Sequence, residues 1–177
     1  NIIIASTGGT LQTATAGTSN FRAGVNAGNS IASGGNYNVV VGDEAGTAIT
    51  TGDKNVFIGT LSGDATTTAS ENVAVGYDTL GTNILGQHSV AIGPSALRTQ
   101  NYATSTNAYN TAVGSFSGYA VTTGQFNTLI GGLTGDALTT GSQNVAIGYA
   151  ALTSDDLGSN SVAVGPSALF SQNFATA

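Results

Sequence analysis

A short pattern of alternating side chains recurs along the chain: Asn or Ser, Val or Thr, a variable residue, Ile or Val, and Gly. Residues 38–42 and 144–148 are two clear copies. Successive copies lie 17 residues apart, except for one spacing of 21 in which residues 104–109 supply the extra length. The eight clear copies end at the turn glycines Gly42, Gly59, Gly76, Gly93, Gly114, Gly131, Gly148 and Gly165. A fixed period of this kind predicts a repeat architecture.

A second, longer period of 72 residues groups the short units in fours. Gly-Pro-Ser-Ala-Leu at 93–97 returns at 165–169, and Gln-Asn-Tyr-Ala-Thr at 100–104 returns as Gln-Asn-Phe-Ala-Thr at 172–176. The chain therefore divides into a first four-unit block at 38–109 and a second at 110–177. Residues 1–37 hold two degenerate units, around 2–5 and 21–24. We predict about ten units in one domain that covers residues 1–177.

The length and content of the unit indicate its secondary structure. Each unit offers one short β-branched segment, a Gly turn, a segment of small residues and a turn of the Thr-Thr-Gly type. Seventeen residues are too few for a helical pair, but they suffice for short strands and turns. The sequence predicts an all-β fold, a parallel β-solenoid (β-roll) with one coil per unit. Ten coils stacked about 4.8 Å apart would form a rod roughly 50 Å long.

Alternation along each strand assigns the side chains to two faces. The residue before each turn glycine is always Ile or Val, and we expect this set to fill the coil as its structural core: Val41, Ile58, Val75, Ile92, Val113, Ile130, Ile147 and Val164. The preceding residue would then point outward and form an apolar stripe for self-association: Val40, Phe57, Ala74, Ala91, Ala112, Leu129, Ala146 and Ala163.

Six units open with Asn, which suggests a corner ladder of side-chain amides that bond from coil to coil: Asn38, Asn55, Asn72, Asn110, Asn127 and Asn144. The turn glycines would allow a positive φ or a close approach between coils.

Composition then removes whole classes of partner. The chain has 3 Lys and Arg against 9 Asp and Glu, a net charge of −6, so it lacks the basic clusters that bind nucleic acid. The longest aliphatic run, Ile2 to Ile4, is far shorter than the ~20 residues that span a bilayer, so no membrane insertion is expected. No Cys is present to form a disulfide or a thiolate metal site. Apolar content of 40% nevertheless predicts a folded chain.

Catalytic chemistry has few candidates. His88 is the only histidine, and the equivalent positions of other units hold Lys54, Glu71, Phe126, Gln143 and Asn160, which is typical of a tolerant turn position. The glycine-and-aspartate nonapeptide of calcium-binding β-rolls is absent. We therefore expect no enzyme activity, no catalytic residue, no metal and no cofactor. Two less favoured alternatives are a hexapeptide-type acyltransferase, whose six-residue period is not matched, and an ice-binding solenoid, whose Thr array would be interrupted at residues 84–85, 101–102, 156–157 and 173–174.

Two further features suggest contacts with other molecules. Tyr77 and Tyr149 directly follow turn glycines and are candidate ligand-facing residues that could stack on sugar rings. The favoured interpretation is that these two rings pack against a neighbouring chain. Neither end shows a polar cap, so end-to-end contact between copies is also expected, at Ile2, Ile3, Ile4 and Phe174.

The motifs Ser-Val-Ala-Ile-Gly at 89–93, Asn-Val-Ala-Ile-Gly at 144–148 and Ser-Val-Ala-Val-Gly at 161–165 resemble the head repeats of trimeric autotransporter adhesins. They resemble still more closely the longer Ala-Ile-Gly repeats of bacteriophage tail fibres and related bacterial surface fibres. The resemblance covers nearly the whole chain. It implies a parallel β-roll, usually of three chains, that is displayed outside the cell or on a virion and used for attachment.

Together these observations predict a non-enzymatic structural subunit or segment of an extracellular fibre, either a cell-surface filament or a virion tail fibre. Its first partner would be itself, as a homotrimer or as an end-to-end filament. The alternative is an adhesin head that binds a cell-surface receptor or glycan.

Overall fold

The computed structural model describes residues 15–173 of the chain and confirms the predicted fold class. This part is all-β, without a helix, and is a parallel β-solenoid whose coils repeat about every 17 residues. Its eleven short strands are β1 (Phe21–Ala23), β2 (Val39–Val41), β3 (Val56–Ile58), β4 (Val73–Val75), β5 (Gly86–Gln87), β6 (Val90–Ile92), β7 (Thr106–Asn107), β8 (Thr111–Val113), β9 (Thr128–Ile130), β10 (Val145–Ile147) and β11 (Val162–Val164).

One sheet carries the repeat. Nine strands pair in parallel in the order β1, β2, β3, β4, β6, β8, β9, β10, β11, each with the next coil. The register is the sequence period itself, since Val39 pairs with Val56 and Val56 with Val73. Strands β5 and β7 form a second, two-stranded sheet, and β7 lies in the longer unit between Gly93 and Gly114. The degenerate unit at 21–24 supplies β1, whereas the one at 2–5 lies outside the described residues.

The two faces of the strands are the reverse of the sequence prediction. The middle residue of each strand from β2 onward, predicted to point outward, is at most 1% exposed and lines the core: Val40, Phe57, Ala74, Ala91, Ala112, Leu129, Ala146 and Ala163. The predicted core residues instead point outward and are partly or well exposed: Val41, Ile58, Val75, Ile92, Val113, Ile130, Ile147 and Val164. The predicted stripe of middle residues therefore cannot be the self-association surface.

The faces of the strands are reversed because the interior of the coil is narrow. The middle residue of the strand shares the core with the residue six positions later. Where the strand centre is large, as at Phe57, the later residue is Gly63; where the centre is Ala74, the later residue is Leu80, which is fully buried. Small side chains at strand centres are therefore a packing requirement and not a sign of exposure.

The asparagines of the predicted ladder are buried side chains inside the coil. Oδ1 of Asn38 accepts hydrogen bonds from the backbone N and from Nδ2 of Asn55, at 2.9 and 3.1 Å. Nδ2 of Asn55 also donates to the carbonyl oxygen of Ala69 at 2.9 Å. The ladder reaches back to Asn20, whose Oδ1 accepts from the backbone N of Asn38 at 2.8 Å. These bonds satisfy buried amides that the corner of each coil would otherwise leave unpaired.

The fourth unit of each block has Ser in place of the ladder Asn, and a Gln side chain makes the buried hydrogen bonds there instead. Ser89 replaces the ladder Asn and is too short to reach the next coil, so Gln100 enters the core beside it. Nε2 of Gln100 donates to Oγ of Ser89 at 3.0 Å, and its Oε1 accepts from Nδ2 of Asn110 at 2.9 Å. In the second block, Nε2 of Gln172 donates in the same way to Ser161 at 3.1 Å. The 72-residue period is thus a period of core packing.

Candidate functional site

The outer side of the main sheet is an exposed surface that runs along the described coils. We call it the strand face and define it as the outward first and third residues of the main-sheet strands from β2 to β11: Val39, Val41, Val56, Ile58, Val73, Val75, Val90, Ile92, Thr111, Val113, Thr128, Ile130, Val145, Ile147, Val162 and Val164. Every one of these residues is Val, Ile or Thr, because β-branched side chains fit a pleated surface. The isoleucines remain 38–39% exposed, and Val162 and Val164, in the last strand, 69% and 66%.

The position before each ladder residue flanks the strand face on one side. This first flank consists of Tyr37, Lys54, Glu71, His88, Tyr109, Phe126, Gln143 and Asn160, and all eight have a positive φ, between 49° and 60°. The left-handed conformation turns the chain from the preceding segment into the buried ladder residue. No glycine stands at this position, which is exposed enough to admit charged and aromatic side chains.

Side chains of the first flank contact one another from coil to coil. Oε1 of Glu71 lies 3.2 Å from Nζ of Lys54, and Oε2 of Glu71 lies 3.1 Å from Nδ1 of His88. The hydrogen bond and charge of Lys54, followed by those of His88, lower the pKa of Glu71. His88 in turn stacks on Tyr109 with ring centroids 5.0 Å apart, and Tyr109 stacks on Phe126 at 5.7 Å. The only histidine is therefore held in a surface ladder.

The residue after each turn glycine flanks the strand face on the other side. Tyr77 and Tyr149, the predicted ligand-facing residues, lie in this second flank and are 55% and 62% exposed. Four coils separate them, a distance of roughly 19 Å at the usual strand spacing. One small ligand cannot contact both rings, so together they would serve only an extended chain or a partner with the same spacing.

Successive coils approach each other closely at the turn glycines, which lie between the strand face and the second flank. They have φ values of 124–138°, and a Cβ atom added at Gly59 would lie 2.4 Å from the carbonyl oxygen of Gly76. Gly165 differs from the others, since a Cβ there would meet nothing within 4 Å. The last described turn glycine thus faces open space on the side where every other one faces the next coil.

A second charged and aromatic cluster lies away from the strand face. Arg98 pairs with Asp78, which raises the pKa of the guanidinium, and its Cζ lies 6.0 Å from the ring centroid of Tyr119. Tyr119 also contacts Phe116, with centroids 5.5 Å apart. Burial, followed by repulsion from Asp78, raises the pKa of nearby Asp64. The contacts of Arg98 with Asp78 and Tyr119 link neighbouring coils, as cross-strand pairs do elsewhere in sheets.

The remaining predictions concern metal binding, membrane insertion and contacts at the ends of the chain. Within residues 15–173, no group of three or more His, Cys, Asp or Glu is placed to hold a metal ion. The same residues contain no helix long and apolar enough to cross a membrane. Ile2, Ile3, Ile4 and Phe174, the predicted end contacts, lie outside the described residues.

The strand face was missed as a candidate site because its residues were assigned to the core. A signal for the correct assignment was present in the sequence. The ladder Asn and the middle residue of the strand are two positions apart and therefore share a face. A buried Asn ladder thus implies a buried strand centre and an outward Val or Ile on each side of it.

Comparisons of the chain with protein-family models, with curated proteins and with solved structures find no match.

Proposed function

We propose that this chain is a structural segment of an extracellular fibre, built to be stiff and to associate with copies of itself. The observation that carries the proposal is the uninterrupted ladder of nine parallel strands, backed along its length by buried amide hydrogen bonds. In a solenoid each coil contacts only its neighbours, so coils can be added without a change of design. A fibre needs this property, and the resemblance to tail-fibre and adhesin repeats supports a location on a virion or a cell surface.

Self-association end to end is part of the proposal. The edge strand β11 offers backbone groups to a further coil, and Val162 and Val164 are more exposed than their counterparts in the internal strands. The open space beside Gly165 is the place that the turn of such a coil would occupy. A second copy stacked there would continue the ladder as a filament.

Electron microscopy of the purified chain tests this assembly. We expect long fibres of uniform width from the natural sequence. Gly165→Ala should give short rods, because the added methyl group would collide with a stacked coil in the way that a Cβ at Gly148 would meet the carbonyl of Gly165 at 2.5 Å. Ser171→Ala, at an exposed residue of the same coil, is the matched control and should leave fibres intact. Short rods from the natural sequence, or fibres from Gly165→Ala, would refute end-to-end stacking through this coil.

An adhesive role is the second candidate, and the exposure of Tyr77 and Tyr149 favours it. No stacked ring contact involves either side chain among the described residues, so their faces are free to meet the apolar side of a sugar. A glycan array compares the natural chain with Tyr77→Ala/Tyr149→Ala and with Tyr37→Ala, at a tyrosine of similar exposure on the other flank. Glycan binding that only the double variant loses supports adhesion through these rings; absence of binding by the natural chain rejects it.

A further inference from the structure

Exposed apolar side chains are concentrated on one side of the coil. Sixteen large hydrophobic residues are exposed in the described part, and eleven of them lie in the strand face or in one of its two flanks; a twelfth, Val25, follows Gly24 as the residues of the second flank follow their turn glycines. The twelve are Val25, Tyr37, Ile58, Tyr77, Ile92, Tyr109, Phe126, Ile130, Ile147, Tyr149, Val162 and Val164. The other four are Ile84, Phe116, Leu169 and Phe170. Scattered single residues need no partner, but a contiguous apolar side of this kind marks an interaction surface.

The same side carries no charge along its centre. None of the outward strand residues from β1 to β11 in the main sheet is ionisable, although the whole chain has a net charge of −6. Two copies could therefore approach through their strand faces without bringing like charges together. Charged side chains occur only at the margin, as Lys54, Glu71 and His88 on the first flank and Asp43 on the second. An uncharged centre with a polar margin is the usual anatomy of a protein interface.

The size of this side fits a stable contact. Nine strands about 4.8 Å apart give a length of roughly 40 Å, and the strand face with both flanks is about 15–20 Å wide. The resulting area, on the order of 700 Å², approaches the ~800 Å² that each partner buries in a standard protein interface. An open sheet surface of this length is unsuited to a small ligand, which needs a concave pocket.

We infer that copies of this chain pack side by side through the strand face, with the aromatic residues of the flanks closing over its margins. A second copy is the occupant that matches the surface, because it presents the same uncharged columns at the same spacing between strands. Val and Ile side chains of facing sheets can then interdigitate as in dry stacked-sheet interfaces. The inference deepens the proposed fibre function, on which it rests, by naming the lateral contact as distinct from the end-to-end contact.

Paired substitutions test the contact by molecular mass. Ile58→Lys/Ile130→Lys places one lysine on the strand face in each four-unit block, and Thr51→Lys/Thr123→Lys places the same charges at exposed positions elsewhere on the coil. Gly165→Ala is included in every protein, so that end-to-end growth does not mask lateral association. Light scattering should give a multiple of the 17.3 kDa chain for the background and the threonine variant. The isoleucine variant should need a concentration higher by more than about tenfold to assemble, because an unpaired buried charge opposes association.

A monomeric background protein at 100 µM, or equal assembly of the two lysine variants, would overturn the inference. Circular dichroism establishes that each variant keeps the β-solenoid. In a chain without Gly165→Ala, fibres that keep the width of the natural fibres after the isoleucine substitutions would refute the lateral contact and leave the fibre function standing. Loss of fibres by Gly165→Ala alone would report on the end contact instead.

Cross-linking gives an independent measurement, because the chain contains no cysteine. Ile92 lies in β6, the fifth of the nine stacked strands, where the centres of two paired faces meet whether the copies run parallel or antiparallel. On mild oxidation, Ile92→Cys should form a disulfide-linked dimer. Thr68→Cys, exposed on another side of the coil, should stay monomeric under the same conditions. Equal cross-linking of the two variants would contradict the assigned surface.

Discussion

A Cβ atom added at Gly63 would lie 2.5 Å from the ring of Phe57, closer than any side chain can approach. The third unit of the same block inverts this pair, with Ala74 at the strand centre and Leu80 in place of the glycine. In the second unit of each block the coil thus holds its large side chain at the strand centre, as Phe57 or Leu129, and in the third unit it holds it six residues later, as Leu80 or Leu152.

Moving the large side chain from the strand centre to the position six residues later should be tolerated only when the residues at both positions are changed. Phe57→Ala alone leaves a cavity and should lower the free energy of unfolding by about 3–5 kcal/mol. Gly63→Leu alone forces a leucine against the ring and should destabilise the chain by a similar amount. The double variant reproduces the Ala74 and Leu80 arrangement, so we expect it to recover at least half of the loss of Phe57→Ala. Urea unfolding of the four proteins measures the coupling; strictly additive effects would contradict shared occupancy of the core.

Removal of one ladder amide should destabilise the fold more than its size suggests. Asn55→Ala deletes the donor to the carbonyl of Ala69 and the acceptor of the backbone N of Asn72, both in the buried part of the coil. Each buried group left without a partner costs about 1–3 kcal/mol, so we expect a loss of roughly 3–5 kcal/mol. The control Asn29→Ala, at an exposed asparagine, should change stability by less than about 0.5 kcal/mol. Similar unfolding midpoints for the two variants would show that the ladder contributes little.

The turn glycines should differ in how well they tolerate substitution by Ala, according to whether a further coil packs against them. Gly59→Ala and Gly165→Ala place a methyl group on backbones of similar φ, 128° and 124°, and so share the conformational strain. Only at Gly59 would the new Cβ meet the next coil, 2.4 Å from the carbonyl oxygen of Gly76. We expect Gly59→Ala to lower stability by about 3 kcal/mol more than Gly165→Ala. Thermal unfolding below the assembly concentration gives the comparison, and equal losses would mean that strain alone decides.

Alkaline pH should weaken the fold through Tyr102. Its hydroxyl donates to the carbonyl of Gly124 at 2.7 Å, and burial raises the pKa of the side chain to about 12. In the unfolded chain the phenol ionises near its ordinary pKa of about 10. Between these two values the unfolded state binds fewer protons than the folded state, so stability falls as the pH rises from about 10 to 12.

Absorbance at 295 nm during an alkaline titration should show one late tyrosine, and Tyr102→Phe should remove it. The corresponding residue of the second block is Phe174, so phenylalanine is compatible with the repeat at this position. Tyr77→Phe, at an exposed ring, is the control and should leave the late step of Tyr102 in place. A titration in which Tyr102→Phe loses an early step would show that this phenol is not protected.

Much of the architecture could be predicted from the sequence because a solenoid is a local structure. The spacing of 17 between Gly42 and Gly59 is also the register between Val39 and Val56, so the period alone determines which residues stack. Lys54 and Glu71 occupy equivalent positions of adjacent units, and the structure accordingly places their charged atoms 3.2 Å apart. The aromatic stack of His88, Tyr109 and Phe126 was not predicted, because Tyr109, at the end of the longer unit, was not assigned to the position that His88 and Phe126 share.

The sequence by itself determined the repeat, its register and the division of strand residues into two sets on opposite faces. Only the tertiary structure decided which set is inside. Alternation has no direction, since Val39 and Val41 would share a face whether that face met water or the core. The deciding quantity was the space left inside a thin coil once the Asn ladder and the leucines at 80, 97 and 152 are in place. That space accepts Ala at most strand centres, and it leaves the β-branched residues outside as the apolar surface on which self-association is proposed.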